Sequence, residues 1–238
     1  MSVKPIFFAL DGKSLSEFEF ELKILKDHIY GVKVGLELFV SEGPSVVEKL
    51  KKQGWQVFLD LKLHDIPNTI KEATRSAANL GADFLTIHIA STSDALIEAS
   101  NTKGNTLQIL GVSSALTSRA MTNSVSEEVN KEFKEAKECG VDGVICPASE
   151  ISKTKEIFDL IVTPGIRLKN DDKNDQKNVA TPNFAINEGA KYIVMGRSIR
   201  NNLDYIINDL ELWKHLLQHH LEIILKHQTQ SPLLEAGL

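Results

Sequence analysis

A chain of 238 residues with 42% hydrophobic and 25% charged residues has the size and composition of one large globular domain. Its 27 Lys and Arg residues are outnumbered by 32 Asp and Glu residues, and no run of basic residues forms a stripe, so we expect no binding to nucleic acid. No apolar stretch approaches the ~18 residues of a membrane span, and the two cysteines have no metal-ligand partners nearby; a cytoplasmic protein without a membrane partner is predicted.

Short apolar segments rich in β-branched residues recur along the chain and predict strands. Most of them are nearly continuous in apolar residues, which is typical of parallel strands that helices cover on the outside. In chain order, the eight predicted strands are residues 6–11, 31–36, 57–62, 84–89, 107–113, 143–147, 160–165 and 192–196.

Amphipathic segments between the strands predict helices. Residues 15–28 carry apolar side chains at three- and four-residue spacing, and the segments 45–53, 69–80 and 126–139 each end at a glycine that caps a helix. The alternation of strand and helix predicts right-handed crossovers and a parallel sheet. Eight such units in this length favour an α/β fold of the closed (β/α)8 TIM-barrel type over a doubly wound sheet, as a single domain over residues 1–238.

Two segments stand outside this alternation. Residues 168–181 predict a long polar loop rich in Asp, Asn and Lys, and loops of this length are commonly lids or disordered segments. Residues 203–225 predict a C-terminal helix, and the chain from about residue 227 is expected to be a frayed tail.

Charged residues at the ends of the apolar strands mark a candidate active site, because such a barrel forms its site at the C-terminal ends of its strands. In chain order they are Asp11, Lys33, Asp60, Lys62 and Asp65. Asp60 and Lys62 are two residues apart on one strand, so their side chains share a face. If that face is the barrel interior, neighbouring carboxylates keep Lys62 protonated and able to act as an acid. The alternative is a solvated surface ion pair or a structural ion network.

A second candidate site follows the last predicted strand. Gly196 and Arg197 come directly after its apolar residues 192–195 and open a helix. Backbone N–H groups at a helix start, with an arginine beside them, favour anion binding, and the last strands of a barrel are where phosphate commonly binds. The alternative is an ordinary glycine turn with an exposed arginine.

The ordered set of these residues resembles the orotidine 5′-monophosphate decarboxylase family, of the bacterial type. The most specific match is the segment 60–69, which reads DLKLHDIPNT and resembles the signature of that family. The resemblance covers nearly the whole chain. The other matching segments are 8–11 (FALD), 33–35 (KVG), 116–118 (LTS), 163–167 (TPGIR), 175–177 (DQK), 179–182 (VATP) and 196–198 (GRS).

The resemblance implies a decarboxylase without cofactor or metal that converts orotidine 5′-monophosphate to UMP in pyrimidine nucleotide synthesis. Lys62 would donate the proton to C6 of the pyrimidine, and Asp60, Asp65 and Lys33 would complete the charged array. The resemblance also implies a homodimer with shared active sites. The further substrate contacts that it implies are Asp11 and Lys33 at the ribose, Thr117 near the base, Arg167, Gln176, Gly196 and Arg197 at the phosphate, and Asp65, Ile66 and Thr69 reaching into the partner's site.

Two other functions remain open at this point. A Mg²⁺-dependent sugar-phosphate lyase or synthase, of the hexulose-6-phosphate synthase type, shares the barrel and an Asp-x-Lys-x-x-Asp signature. The run 65–69 favours the decarboxylase over it. A non-catalytic barrel that binds a nucleotide is the second alternative, and the costly charged array argues against it. The chain departs from the family pattern at Asn178, where a basic residue is common, and at residues 89–92, which lack a glycine-rich turn.

Overall fold

The computed structural model of the chain describes residues 4–113, 123–168 and 180–203. Eight parallel strands form a closed barrel in which neighbours follow chain order and the first strand pairs with the last. The predicted (β/α)8 barrel is therefore confirmed. The strands are β1 Lys4–Leu10, β2 Ile29–Gly35, β3 Gln56–Leu63, β4 Phe84–His88, β5 Gln108–Val112, β6 Gly143–Ile145, β7 Ile161–Thr163 and β8 Tyr192–Met195.

Helices surround this barrel, and their apolar faces pack on the outer faces of the strands. Short 3-10 helices precede several of them, at Leu15–Phe18, Ile89–Ser91 and Ala148–Glu150. The α-helices of the described residues are α1 Glu19–Leu25, α2 Leu36–Glu42, α3 Ser45–Lys52, α4 Pro67–Asn79, α5 Ser93–Thr102, α6 Asn123–Glu138, α7 Ile151–Thr154, α8 Pro182–Glu188 and α9 Arg197–Asn201.

Two helical segments differ from the sequence prediction. The segment 15–28 begins as a 3-10 helix, and Ser14 starts it with a capping box in which Glu17 accepts the Ser14 N–H at 2.9 Å. Helix α2 was not predicted, because its apolar residues do not lie on one face: Leu38 is buried, whereas Leu36 and Val40 are exposed.

The interior of the barrel changes from aromatic to charged along the strands. The Phe7 ring lies at the N-terminal end, with four ring centroids 5.3–5.4 Å from its own; these rings belong to Tyr30, Phe58, Phe84 and Tyr192. Because every second side chain shares a face, Asp60 follows Phe58 on the inner face of β3. The aromatic layer fills one end of the barrel, and the polar layer opens at the C-terminal end.

Three predicted segments lie wholly or largely outside the described residues. They are the interior of the loop 168–181, the helix 203–225 and the tail from about residue 227. The division of the chain into one domain over residues 1–238 therefore stays a prediction.

Candidate active site

The charged residues of the first three strands form an ion-pair cluster at the C-terminal mouth of the barrel. The carboxylate of Asp60 lies 2.7 Å from Lys62 Nζ and 3.7 Å from Lys33 Nζ, both measured to Oδ2. Lys33 Nζ also donates to Asp11 Oδ1 at 3.0 Å. The chain therefore brings together Asp11, Lys33, Asp60 and Lys62, in an alternating order of carboxylate and ammonium.

Asp60 is a buried carboxylate at the centre of this cluster, with 12% of its side chain exposed. Burial raises the pKa of the Asp60 carboxyl, and it is the largest single influence on this group. The charges of Lys33 and Lys62 and the hydrogen bonds to Asp60 act in the opposite direction, and together they lower the pKa below its ordinary value. Asp60 is therefore ionised at neutral pH, and Lys33 and Lys62 compensate its charge.

An irregularity in strand β3 places Lys62 beside Asp60. Leu59 pairs with Leu85 and Leu63 pairs with Ile87, so three residues of β3 oppose one residue of β4. Lys62 lies in this bulge with a φ of 50°, a left-handed conformation that costs a non-glycine residue roughly 1–3 kcal/mol. Strained backbone of this kind is concentrated at functional sites, where the surrounding structure holds it.

One glycine leaves room for the side chains of the mouth, and a second lies beside them. A Cβ on Gly35 would lie 3.1 Å from Lys33 Nζ and 3.3 Å from Asp11 Oδ1, which is tighter than ordinary contact. Gly196, between β8 and α9, would place a Cβ 3.6 Å from Asp11 Oδ2. The turn predicted to bind phosphate therefore lies next to the carboxylate predicted to bind the ribose.

Asp65, Ile66 and Thr69 lie in the turn after β3 and the first turn of α4, and all three are exposed. The Asp65 carboxylate accepts a hydrogen bond from the Ile66 N–H at 2.7 Å. Across the described parts of the chain, Asp65 forms no ion pair with the lysines of the mouth. Within one chain, three of the four predicted members of the charged array lie together, namely Lys33, Asp60 and Lys62. Asp11 adds a further carboxylate.

The two predicted arginines differ in their surroundings. Arg197 is exposed at the first residue of α9. Arg167 is buried, with 5% of the residue exposed, and its Nη1 donates to the Ile166 carbonyl at 3.0 Å. Arg197 is therefore the more accessible of the two to a ligand.

The base of the predicted loop 168–181 is closed by backbone contacts. The Arg167 N–H donates to the Ala180 carbonyl at 2.9 Å, and the Leu168 N–H donates to Ser198 Oγ at 3.2 Å. Ser198 belongs to α9, so the loop starts and ends beside the turn at Gly196. Gln176, in this loop, and Thr117 lie outside the described residues.

Thr86 and two histidines near the cluster were not assigned roles from the sequence. Thr86, in the middle of β4, donates to Asp60 Oδ1 at 3.0 Å. The rings of His64 and His88 meet edge to face, with their centroids 5.6 Å apart. The pKa of His88 is lowered, mainly by burial and secondly by the charge of the nearby His64. The signal for Thr86 was a single hydroxyl in an apolar strand, which by itself does not indicate a function.

Residues 4–113, 123–168 and 180–203 contain neither a membrane-spanning helix nor a cluster of metal ligands. No helix there is long and apolar enough to cross a membrane. In the same ranges, no group of three or more His, Cys, Asp and Glu side chains is arranged to hold a metal ion.

The chain is similar to proteins of one family in sequence and in structure. It matches the family described as "Orotidine 5'-phosphate decarboxylase / HUMPS family" over residues 4–205. Proteins named orotidine 5'-phosphate decarboxylase from Halalkalibacterium halodurans and Fusobacterium nucleatum are each 42% identical to it, over 83% and 84% of this chain and 92% and 90% of theirs. A crystal structure of orotidine 5'-phosphate decarboxylase from Lactobacillus acidophilus matches with a TM-score of 0.68 and 34% identity, covering 82% of this chain and 91% of that one.

A closed (β/α)8 barrel with paired lysines and aspartates at its C-terminal mouth, together with relatives named as decarboxylases, makes the chain an enzyme of the TIM-barrel class. The chain belongs to the orotidine 5′-phosphate decarboxylase / HUMPS family.

Proposed function

We propose that this protein decarboxylates orotidine 5′-monophosphate to UMP, without a cofactor, as the last step of de novo pyrimidine nucleotide synthesis. The observation that carries the proposal is the cluster in which Asp60 Oδ2 lies 2.7 Å from Lys62 Nζ and 3.7 Å from Lys33 Nζ. The decarboxylases named above, to which the chain is 42% identical, support the same substrate.

The reaction needs a proton donor that is in place before the bond to CO2 breaks. Loss of CO2 from C6 leaves an electron pair in the ring plane, where no carbonyl group accepts it. An ammonium group held at this position stabilises the developing carbanion and then protonates it. Lys62 is held for this role by Asp60 and by the bulge in β3, and about a third of its side chain (35%) is open to the mouth.

The other groups of the mouth bind the two ends of the nucleotide. Asp11, whose side chain is 63% exposed, and Lys33 hold the ribose hydroxyls. Gly196 and Arg197 bind the phosphate, with Gln176 closing over it from the loop and Arg167 at the same end. Phosphate binding far from C6 then provides energy for closure of the loop 168–181 around the substrate.

The site is completed by a second copy of the chain in a homodimer. Ile66 is 66% exposed and Val40 79% exposed at the C-terminal side of neighbouring strands, where apolar side chains favour burial in a partner. Asp65 and Thr69 flank Ile66 on this face, so each subunit supplies Asp65, Ile66 and Thr69 to the site of the other. Thr117 lies near the pyrimidine base in this arrangement.

A cytoplasmic location fits the state of the two cysteines, Cys139 and Cys146, which are free thiols. Burial raises the pKa of Cys146 to about 12, so this thiol stays protonated and unreactive.

Ultraviolet absorbance of orotidine 5′-monophosphate, followed with purified protein in EDTA, tests the proposal. The wild-type protein turns the substrate over in EDTA, and Lys62→Ala lowers kcat by about 10²–10⁴-fold because the proton donor is lost. Lys131→Ala, which removes an 80% exposed lysine on α6, is the matched control and keeps wild-type activity. Absence of turnover by a folded wild-type protein refutes the proposal, and loss of activity in EDTA points to metal-dependent sugar-phosphate chemistry instead.

A further inference from the structure

Thr86 is a fully buried hydroxyl in an otherwise apolar part of β4. It is the β4 residue that faces the bulge of β3, since its neighbours Leu85 and Ile87 pair with Leu59 and Leu63. A buried hydroxyl without partners is costly, so the bonds that it forms indicate what it does there.

The Thr86 hydroxyl joins the backbone of Lys62 to the side chain of Asp60. It accepts the Lys62 N–H at 2.8 Å and donates to Asp60 Oδ1 at 3.0 Å. A threonine hydroxyl has one proton, and that proton is directed to Oδ1. Oδ2, the other oxygen of Asp60, then faces the ammonium groups of Lys62 and Lys33.

We infer that Thr86 is a positioning residue, which holds Asp60 and Lys62 in the geometry that proton transfer requires. Its hydroxyl fixes the rotation of the Asp60 carboxylate and stabilises the left-handed backbone of Lys62, whose φ is 50°. It does not touch the substrate. The inference rests on the proposed decarboxylation for its kinetic consequence, whereas its structural consequence is independent of the reaction.

Three variants test this role. Thr86→Val keeps the shape of the side chain and removes the hydroxyl, and Thr86→Ser keeps the hydroxyl and removes the methyl group. Thr74→Val is the matched control, because Thr74 is also fully buried but its Oγ1 has no hydrogen-bond partner among the described residues. Kinetics with orotidine 5′-monophosphate, the Kd of UMP and crystal structures of the variants are the measurements.

Thr86→Val is expected to lower kcat about tenfold to a hundredfold, because small displacements of reacting groups have effects of this size. KM and the Kd of UMP stay within about twofold, since the residues proposed to bind the ribose and the phosphate are unchanged. Thr86→Ser restores kcat, Thr74→Val leaves it unchanged, and the crystal structure of Thr86→Val shows Asp60 rotated or Lys62 moved.

Two results overturn the inference. One is an Asp60–Lys62 pair that keeps its geometry in the crystal structure of Thr86→Val; the other is a loss of kcat that Thr86→Ser does not restore, which assigns the effect to packing of the methyl group. Failure of the wild-type protein to turn over the substrate refutes the proposed function alone, because the structural comparison still decides the role of Thr86.

Discussion

Asp60 is the residue on which the charges of the mouth depend. Its carboxylate contacts Lys62 and lies within ion-pair distance of Lys33, and the side chain of Lys33 is 11% exposed. Removing one partner from a buried ion pair is costly, because the remaining charge stays away from water. Replacing Asp60 alone therefore leaves Lys62 and Lys33 without the carboxylate that they share.

Asp60→Asn is expected to lower the free energy of unfolding at pH 7 by roughly 3 kcal/mol, as for other broken buried pairs. The lowered pKa of Asp60 sets how this difference depends on pH. A carboxyl with a depressed folded-state pKa contributes stability above its ordinary value of 3.8, and loses it as the pH falls through the folded-state value. The difference between the two proteins therefore stays constant from pH 7 to about pH 5 and shrinks only below about pH 4.

Urea unfolding of the wild-type protein and of Asp60→Asn, at a series of pH values from 7 to below about 4, measures this difference in the free energy of unfolding. Asp159→Asn is the control, because Asp159 is exposed and forms no ion pair in the described residues, so its replacement changes stability little. A difference that grows as the pH falls from 7 to 5 contradicts the prediction, because it shows that burial dominates and that the folded-state pKa of Asp60 is raised.

At the C-terminal end of β2, Gly35 shapes the site because it has no side chain. Gly35 has a φ of −88°, so its backbone conformation does not require glycine. The space does require it, because a Cβ would meet Lys33 Nζ at 3.1 Å and Asp11 Oδ1 at 3.3 Å. Both are the ends of side chains, so an added methyl group displaces them and leaves the strand in place.

Gly35→Ala is therefore expected to separate Lys33 from Asp11 and to raise KM about tenfold, with little change in Tm. Gly104→Ala is the matched control, since Gly104 has a φ of +69° with nothing within 4 Å of a built Cβ. It loses about 1 kcal/mol of stability through backbone strain and keeps its activity. Steady-state kinetics and thermal unfolding measure both effects; an unchanged KM in Gly35→Ala contradicts the steric argument.

At the scale of the whole molecule, the position of Asp65 distinguishes a site built by one chain from a site shared between two copies of the chain. In the described residues Asp65 is exposed and bonded to its own neighbour Ile66, and it does not reach Lys62. A site that contains both groups needs Asp65 from another copy of the chain. A shared site, unlike a site within one chain, can therefore be restored by combining two inactive variants in one dimer.

Lys62→Ala and Asp65→Ala are each expected to be inactive alone and to regain activity when co-expressed. In a mixed dimer, one site receives Lys62 and Asp65 in native form and the other receives neither, so random pairing restores up to about a quarter of wild-type activity. Activity assays of the purified mixture, with sedimentation to establish the dimer, measure this. A mixture that stays inactive although mixed dimers are present contradicts the shared site.

Local patterns in the sequence predicted the architecture and the charged residues of the candidate site. Apolar runs alternating with amphipathic segments led to the eight-stranded barrel, which the structure confirms. The two-residue period of a strand predicted Asp60 and Lys62 on one face; the structure joins them at 2.7 Å, but through the bulge at Lys62, which that period does not predict. Helix α2 was missed, because its exposed residues Leu36 and Val40 break the helical pattern of burial.

The sequence by itself thus determined the period of each element and the charged residues that end the strands, because both depend on residues close together in the chain. Only the tertiary structure decided which strands supply the neighbours of Asp60, since Lys33 and Thr86 come from β2 and β4. The bulge that brings Thr86 against Lys62 is a property of the register between two strands. No local pattern encodes that register, because it is fixed by the packing of the whole barrel.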